Sequence, residues 1–315
     1  MTRGKKRTGR FRTATRCRIV LFLLLGFLSS CEPQSPDTER GPRYADTPEE
    51  TSLTYSFAVH PLYNPVEMVR IYQPLMDLLT REISGAKFQV EASRDYSQFE
   101  EKFRAWGPDF LLPNPWQTLE AIKSGYSVLA MAGEPKDFRG IFVVRKDSSL
   151  VVPRDLKGKS VSYPSPTALA GCILPQYFLH SHGVDVTHDL INRYVGSQES
   201  AIMNVYFGQT AAGATWLPPW RFFVREHPDE AAELKVIWET ESLVNNSVMA
   251  GNHIPEELRN RVRNVLIHLD ESPSGREILA GMETTRFLIA DNGDYEVVSR
   301  FIQRFEREIR QVEKP

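Results

Sequence analysis

The chain has 315 residues, with 38 Lys and Arg against 40 Asp and Glu. Eight of the basic residues and no acidic one fall in the first 18 positions, so the remainder carries 30 basic against 40 acidic residues, a net charge of −10. This acidity excludes nucleic acid as an expected partner, because the polyanion would be repelled. The three cysteines, Cys17, Cys31 and Cys172, do not suggest a disulfide framework, because two of them lie in or beside the basic segment.

The N-terminus predicts an export signal with a lipid attachment site. The basic segment precedes the apolar run IVLFLLLGFL, about half of the roughly 20 residues that span a bilayer, so residues 1–30 are predicted to be a cleaved signal peptide. The following LSSC resembles a bacterial lipobox, with Cys31 as the lipidated residue; an ordinary cleavage site with an incidental cysteine is the alternative. Residues 31–52, rich in Pro, Thr, Asp and Glu, are predicted to be a disordered tether.

From Thr54 onward, strand-like and helix-like segments alternate. The strand TYSFAVH precedes the helical pattern NPVEMVRIYQPLMDLLTREI. The series continues with the strand KFQVE, the helix YSQFEEKFRAW, the strand DFLL, a helix over 115–124 and the strand SVLAM. This order predicts an α/β fold, with a parallel sheet flanked by helices.

A second α/β series begins at the strand GIFVVR. It continues with the strand KSVSY, a helix over 168–182, the strand RYV, a helix through MNVYF, and the strands GATW and LKVIWE. The strand SVMAG then precedes helices that begin at Pro255, at Pro273 and near Asp294. We expect these last helices to pack on the first lobe.

This arrangement predicts two lobes that the chain crosses between twice, near 138–145 and near 240–248. Two crossings make a hinge, and a hinged cleft closes on a ligand. The predicted lobes are residues 53–140 plus 246–315 for the first, and residues 141–245 for the second.

Several short motifs, taken in order, resemble a known family. They are Tyr72, Pro74 and Leu75; DFLLPNPWQTLEA (109–121); DLKGKSV (155–161); Gly171 with Pro175; and GVD (183–185). Over about residues 55–310 the chain resembles the phosphate/phosphite/phosphonate-type substrate-binding proteins of ABC importers, which have the type II periplasmic-binding-protein fold. The resemblance implies an extracytoplasmic, lipid-anchored binding protein that partners ABC permease and ATPase subunits, with no cofactor, no metal and no catalysis. A ligand-sensing subunit for a membrane receptor kinase is an alternative, and a cleft-cysteine enzyme of the same fold is another.

Ligands of open α/β sheets bind beyond the carboxyl ends of the strands. This rule nominates the loops 60–64, 113–116, 165–171 and 215–221. The candidate ligand-binding residues in these loops are Tyr63, Asn64, Asn114, Trp116, Ser165, Thr167, Ala168, Leu169, Trp216, Trp220 and Arg221.

Each candidate also has a structural reading. Ser165 and Thr167 suit a helix N-cap as well as a ligand. Trp216 and Trp220 either stack on a ligand or pack beneath a proline-stiffened loop. Arg221 either pairs with an anion or lies on the solvated surface.

The ligand loop departs from the family pattern. Where the family has Ser-Thr-Ser, this chain has Ala168, Leu169 and Ala170, and Ala211 stands where an acidic residue is common. We therefore expect the ligand to be a small organic anion, phosphonate-like or carboxylate-like. It would be bound through backbone N–H groups at 167–171, the Thr167 hydroxyl and aromatic side chains. We also expect the protein to be a monomer. Inorganic phosphate is expected to bind more weakly.

Two further features have ordinary explanations beside functional ones. His180 and His182 lie two apart near a predicted helix end, where a cationic imidazole offsets the helix dipole. Cys172 stands at the start of the helix that leaves the ligand loop, a place that lowers a thiol pKa, but a small cysteine more often packs as a hydrophobe.

Overall fold

The structure is a computed structural model and describes residues 52–313. The predicted signal peptide, Cys31 and nearly all of the tether lie outside this range. Within it, no helix combines the length and the apolar character that crossing a bilayer requires.

Two sheets organise the described chain. The first contains six strands in the spatial order β11-β4-β10-β3-β1-β2. Its strands are β1 (Leu53–Val59), β2 (Ala86–Glu91), β3 (Phe110–Leu112), β4 (Tyr126–Ala132), β10 (Ser247–Gly251) and β11 (Phe287–Ile289). β1 pairs in parallel with β2 and β3, whereas β10 runs antiparallel to β3 and β4.

The second sheet contains five strands in the order β7-β6-β8-β5-β9. Its strands are β5 (Gly140–Arg145), β6 (Ser160–Tyr163), β7 (Ile191–Tyr194), β8 (Ala212–Trp216) and β9 (Leu234–Glu239). β6 pairs in parallel with β7 and β8, and β5 is antiparallel to β8 and β9. The predicted two-lobed α/β fold is confirmed.

Ten α-helices flank the sheets within residues 52–313. They are α1 (Pro65–Glu82), α2 (Tyr96–Arg104), α3 (Pro115–Lys123), α4 (Leu174–Ser181), α5 (Gln198–Tyr206), α6 (Leu217–Glu226), α7 (Pro228–Ala232), α8 (Glu256–Ile267), α9 (Pro273–Gly281) and α10 (Glu296–Glu308). Short polar side chains begin several of them: Asn64 accepts a hydrogen bond from Glu67 N, and Asp95 accepts one from Gln98 N.

Alternation along each strand supplies the cores. In β5, Ile141 and Val143 pack on one face of the second sheet, whereas Phe142 and Val144 pack on the other. The late helices complete the core of the first sheet, because Val262 of α8, Leu279 of α9 and Phe305 of α10 belong to it. Helices from the end of the chain therefore pack on the first lobe, as expected.

Two neighbouring segments connect the sheets, residues 133–139 between β4 and β5 and residues 240–246 between β9 and β10. They are bonded to each other: Leu243 N donates to Phe138 O at 3.0 Å, and Asn245 Nδ2 donates to Glu134 O at 3.0 Å. This is the two-crossing connection that the strand order predicted.

Three predicted details were wrong, and one strand was missed. The sheets are mixed rather than parallel, because β4 and β5 have only antiparallel neighbours. The helix expected from Ala168 begins instead with a wide π-type turn, Leu169–Ile173, before α4. The segment expected as a loop after β8 is the start of α6, because prolines are compatible with the first turn of a helix, where no N–H partner is needed. The three-residue β11 was not predicted, since so short a strand has no periodicity to read.

Candidate functional site

A small cavity lies where the strand ends of the two sheets face each other. Its volume is about 10 Å³, close to the space that one water molecule needs. The first lobe contributes His60, Tyr96 and Asn114; the second contributes residues 168–171, Gln198 and Trp216; and Phe138 and Asn246 come from the connecting segments.

The topology explains why these residues meet. His60 follows β1, Asn114 follows β3 and Trp216 ends β8, so each stands at the carboxyl end of its strand. Asn246 immediately precedes β10, which runs antiparallel to β3 and therefore starts at the same edge. The cavity thus occupies the position at which open α/β sheets bind ligands.

The loop that enters α4 offers backbone donors to the cavity. Cys172 N and Ile173 N both donate to Ala168 O, at 2.7 and 3.1 Å. The N–H groups of residues 169–171 make no hydrogen bond within residues 52–313. Free N–H groups at the first turn of a helix attract an anion.

Gly171 lets this loop fit against its neighbours. A Cβ at this position would lie 2.7 Å from Pro164 Cγ and 3.0 Å from the Gln198 amide. A larger residue would therefore displace either the loop or the glutamine that lines the cavity.

Polar side chains on both lobes line the cavity, but none is charged. Burial lowers the pKa of His60 from 6.5 to about 4, despite a hydrogen bond to the Leu112 carbonyl that raises it, so the imidazole is neutral near neutral pH. Burial raises the pKa of Tyr96, which keeps its hydroxyl protonated. Gln198 Nε2 donates to that hydroxyl at 3.0 Å, and Gln198 Oε1 accepts from Thr215 Oγ1 at 2.8 Å.

The two lobes contact each other directly around the cavity. Asn114, which caps α3, donates from Nδ2 to Thr167 O at 3.2 Å. The Thr167 hydroxyl donates to Glu100 Oε1 at 2.6 Å, and Gln117 Nε2 donates to the same oxygen at 3.0 Å. Burial raises the pKa of Glu100, and these two hydrogen bonds oppose the effect. Thr167 is therefore engaged with the first lobe rather than with the cavity.

Arginine side chains reinforce the closure at two places. Arg221 Nε lies 3.0 Å from Glu283 Oε2, and Arg225 pairs with the other carboxylate oxygen, so two arginines of α6 hold a residue of the first lobe. On another side, Arg310 donates to Gln176 Oε1 at 2.8 Å and to Pro166 O at 3.1 Å.

A second, larger cavity of about 30 Å³ lies beside the first. Trp216 and Asn246 line both cavities. Arg221, Glu283 and Asp137 line only the larger one, which therefore has charged side chains in its lining, unlike the smaller cavity.

The structure brings together four of the predicted residues, Asn114, Ala168, Leu169 and Trp216, at the smaller cavity. Arg221 borders the larger cavity, where it pairs with Glu283. Ser165 bonds the Thr167 hydroxyl at 2.9 Å and stabilises the loop itself.

Other predicted residues lie away from the smaller cavity. Tyr63 is buried with its ring centroid 4.2 Å from that of Phe222, an aromatic contact between the lobes. Asn64 caps α1, and Trp116 is buried in the core of the first lobe. Trp220 stacks on Phe223 with the centroids 6.0 Å apart, so it packs beneath the chain rather than against the cavity.

His60, Ala170 and Gly171 lie in the nominated loops but were not chosen as candidates, and four cavity residues lie outside those loops: Tyr96, Phe138, Gln198 and Asn246. Two had a usable signal: Tyr96 and Gln198 begin the helices that follow β2 and β7, at strand ends that the same rule covers. Phe138 and Asn246 belong to the connecting segments and precede antiparallel strands, so the rule for carboxyl ends does not nominate them.

Of the two readings of Cys172, a thiol with a lowered pKa or a packed hydrophobe, the structure supports the second. The side chain is fully buried, and burial raises its pKa to about 12, with opposing effects from Arg310. Burial outweighs the helix start because a thiolate there would lose its hydration. Cys172 packs in the core of the second lobe as a hydrophobe.

The paired histidines have structural contacts. His182 caps the end of α4, where Nδ1 bonds Phe178 O at 2.7 Å. In residues 52–313, no group of three or more His, Cys, Asp or Glu side chains is placed to hold a metal ion.

Comparison with known proteins identifies relatives of this chain. A family model described as the periplasmic substrate-binding protein of a phosphonate ABC transporter matches residues 57–295. A probable phosphite-binding protein of an ABC transporter, PhnD1 of Prochlorococcus marinus, is 26% identical over 181 residues. That alignment covers 53% of this chain and 61% of the relative, less than two thirds of its length.

Solved structures share the fold. PhnD1 from Prochlorococcus marinus in complex with methylphosphonate has a TM-score of 0.74 at 20% identity, covering 81% of this chain and 98% of that one. A binding component of a phosphonate transporter from Pseudomonas aeruginosa has a TM-score of 0.75 at 16% identity, covering 81% and 87%. The aliphatic sulphonate-binding protein SsuA from Escherichia coli has a TM-score of 0.54 at 11% identity, again covering 81% and 87%.

Proposed function

The chain belongs to the family of periplasmic substrate-binding proteins of phosphonate ABC transporters, and we propose that it binds a small organic oxyanion, phosphonate-like, at the smaller cavity, with the lobes moving apart to admit it. The observation that carries the proposal is that the N–H groups of residues 169–171 are free, in a loop that lines a cavity between the two lobes. Backbone donors replace the hydroxyl groups that the Ala-Leu-Ala sequence lacks, and each hydrogen bond to a charged group contributes about 1.5 to 3 kcal/mol.

The organic part of the ligand has aromatic neighbours. Trp216 is 4% exposed, and its ring lies 5.2 Å from that of Phe138 on the connecting segment. Phe138 lies two residues before Gly140, which pairs with Trp216 in the second sheet, so the two rings are neighbours. We propose that they contact the substituent of the phosphonate, which favours an organic ligand over inorganic phosphate.

The surroundings of the protein follow from the same proposal. We propose that it delivers its ligand to ABC permease and ATPase subunits, that it acts as a monomer, and that it is held at the outer face of a membrane by lipid on Cys31. The anchor is tested by detergent partitioning of the full chain. Cys31→Ser is expected to release or misprocess the protein, and unchanged membrane association in that variant would contradict a lipid anchor.

A thermal-shift screen tests the proposed ligand class. The compounds are phosphate, sulfate, alkylphosphonates, aminoalkylphosphonates, carboxylates and quaternary amines. A ligand at about 100 times its dissociation constant stabilises a folded protein by about 2.7 kcal/mol, which is a clear rise in melting temperature.

We expect alkylphosphonates to give the largest shift, and Trp216→Ala to reduce it. Trp106→Ala is the matched control, because Trp106 is 70% exposed and distant from the cavity lining. A shift produced only by cationic or neutral compounds would show that the proposed class is wrong.

A further inference from the structure

The polar groups of the smaller cavity require a ligand that donates a hydrogen bond as well as accepting several. The donors are the N–H groups of residues 169–171 and the Tyr96 hydroxyl, which accepts from Gln198 and so keeps its own proton for another partner. Two acceptors line the same cavity, His60 and Asn246. An oxyanion without a proton satisfies the donors and leaves both acceptors unpaired.

The acceptor on His60 is fixed by its other ring nitrogen. Nδ1 lies 2.8 Å from Leu112 O, and because a carbonyl oxygen only accepts, Nδ1 carries the proton and Nε2 carries a lone pair. No group of residues 52–313 is hydrogen-bonded to Nε2.

The groups around His60 do not favour a charged imidazole. The rings of Tyr96 and Phe99, both on α2, lie 6.1 and 6.5 Å away. The nearby carboxyl group on α2, that of Glu100, is bonded to Gln117 and Thr167. Across the cleft, the Cys172 thiol is neutral. The imidazole of His60 therefore stays neutral, and its Nε2 can accept a hydrogen bond from a ligand.

Asn246 provides the second acceptor. Its side chain is 3% exposed, and Oδ1 has no hydrogen-bond partner within residues 52–313. An unpaired buried carbonyl oxygen is unfavourable, and native structures retain few of them. A ligand that donates a hydrogen bond removes this cost.

The absence of charged side chains from the lining of the smaller cavity also favours a ligand that keeps a proton. No Lys, Arg, Asp or Glu side chain lines the smaller cavity. Without a cation to offset it, a doubly charged anion loses much more hydration on entering than a singly charged one.

Resting on the proposed function, we infer that the ligand binds as a singly charged oxyanion that keeps one proton, the hydrogen form of an alkylphosphonate. The P–OH group donates to His60 Nε2, with Asn246 Oδ1 as a second acceptor in the same cavity, and the remaining oxygens accept from the loop N–H groups. A sulfonate of the same shape has no such proton, so it places an oxygen lone pair against the His60 lone pair. The site therefore selects phosphonates over sulfonates.

Isothermal titration with methylphosphonate and methanesulfonate tests the inference on the unaltered protein. We expect methylphosphonate to bind at least about tenfold more tightly near neutral pH, because the sulfonate leaves buried acceptors unpaired. Above the second pKa of methylphosphonate, its affinity should fall by about tenfold per pH unit, while that of methanesulfonate stays constant.

Equal binding of the two anions, or tighter binding of methylphosphonate in alkaline solution, overturns this inference and leaves the proposed function standing. If neither anion binds, the proposed function is overturned with it.

Substitution of His60 tests whether its Nε2 is the acceptor of the ligand proton. His60→Phe is expected to reduce the preference for methylphosphonate over methanesulfonate. His268→Phe is the matched control, since His268 also bonds a backbone carbonyl through Nδ1 but is exposed. An unchanged preference in a folded His60→Phe protein would overturn the role of His60, and the comparison of the two anions on the unaltered protein does not depend on whether the variant folds.

Discussion

Burial of His60 makes the folded protein sensitive to acid. The folded state holds this imidazole neutral down to about pH 4, whereas the unfolded chain protonates it near 6.5. Between these values the unfolded state binds more protons, so the free energy of unfolding must decrease as the pH falls. At about 1.4 kcal/mol per pH unit, the loss from neutrality to about pH 4 is roughly 3 kcal/mol.

The assay is the melting temperature as a function of pH for the unaltered protein and for His60→Gln. A change of 1 kcal/mol shifts the melting temperature of a domain of this size by about 2–4 °C, so we expect the unaltered protein to lose roughly 6–12 °C more than the variant on acidification. The carboxyl groups are common to both proteins, so their contribution to the change in melting temperature cancels in the difference. His268→Gln should follow the unaltered protein. Parallel curves for the unaltered protein and His60→Gln would refute the assignment of a neutral, buried imidazole.

Three further predictions concern closure, reactivity and packing. Glu283→Gln removes the charge that Arg221 and Arg225 contact across the lobes. Because the two arginines are half-exposed, we expect the ligand dissociation constant to rise only about two- to fivefold. A titration that gives the same constant as the unaltered protein would argue against a role of this contact in closure. Cys172 should resist thiol reagents at mildly alkaline pH until the protein is unfolded, since its pKa is raised to about 12; rapid labelling of the folded protein lacking Cys31 would contradict its burial. Gly171→Ala should destabilise the protein or weaken binding, because the added Cβ has a neighbour at 2.7 Å; unchanged melting and affinity would show that the loop yields without cost.

The alternation of strands and helices could be predicted because it depends on local periodicity. β5 and β10 begin and end where the sequence placed them, since their apolar residues are bounded by turns and charged residues. The two crossings between the lobes also followed from the late strand that returns to the first lobe. The local sequence pattern did not predict the π-type turn at 169–173. The backbone there is fixed by tight contacts at Gly171 rather than by the helix propensity of its residues.

The candidate site was predictable only where a residue follows a parallel strand. Asn114 and Trp216 were found in this way. Asn246 was not, because its place in the cavity depends on an antiparallel strand contributed by the last part of the chain. Trp116 and Trp220 were predicted to line the cleft because they lie in nominated loops. In the structure, each lies on the side of its helix that packs into a core.

The central claim is that the interlobe cavity binds an alkylphosphonate, and calorimetric titration of methylphosphonate into the folded protein tests it most directly. The account predicts one binding event per chain, with a dissociation constant that rises by at least about tenfold in Trp216→Ala and stays unchanged in Trp106→Ala, a difference of about 1.4 kcal/mol. Absence of heat up to millimolar ligand, or equal affinity in Trp216→Ala, would contradict it.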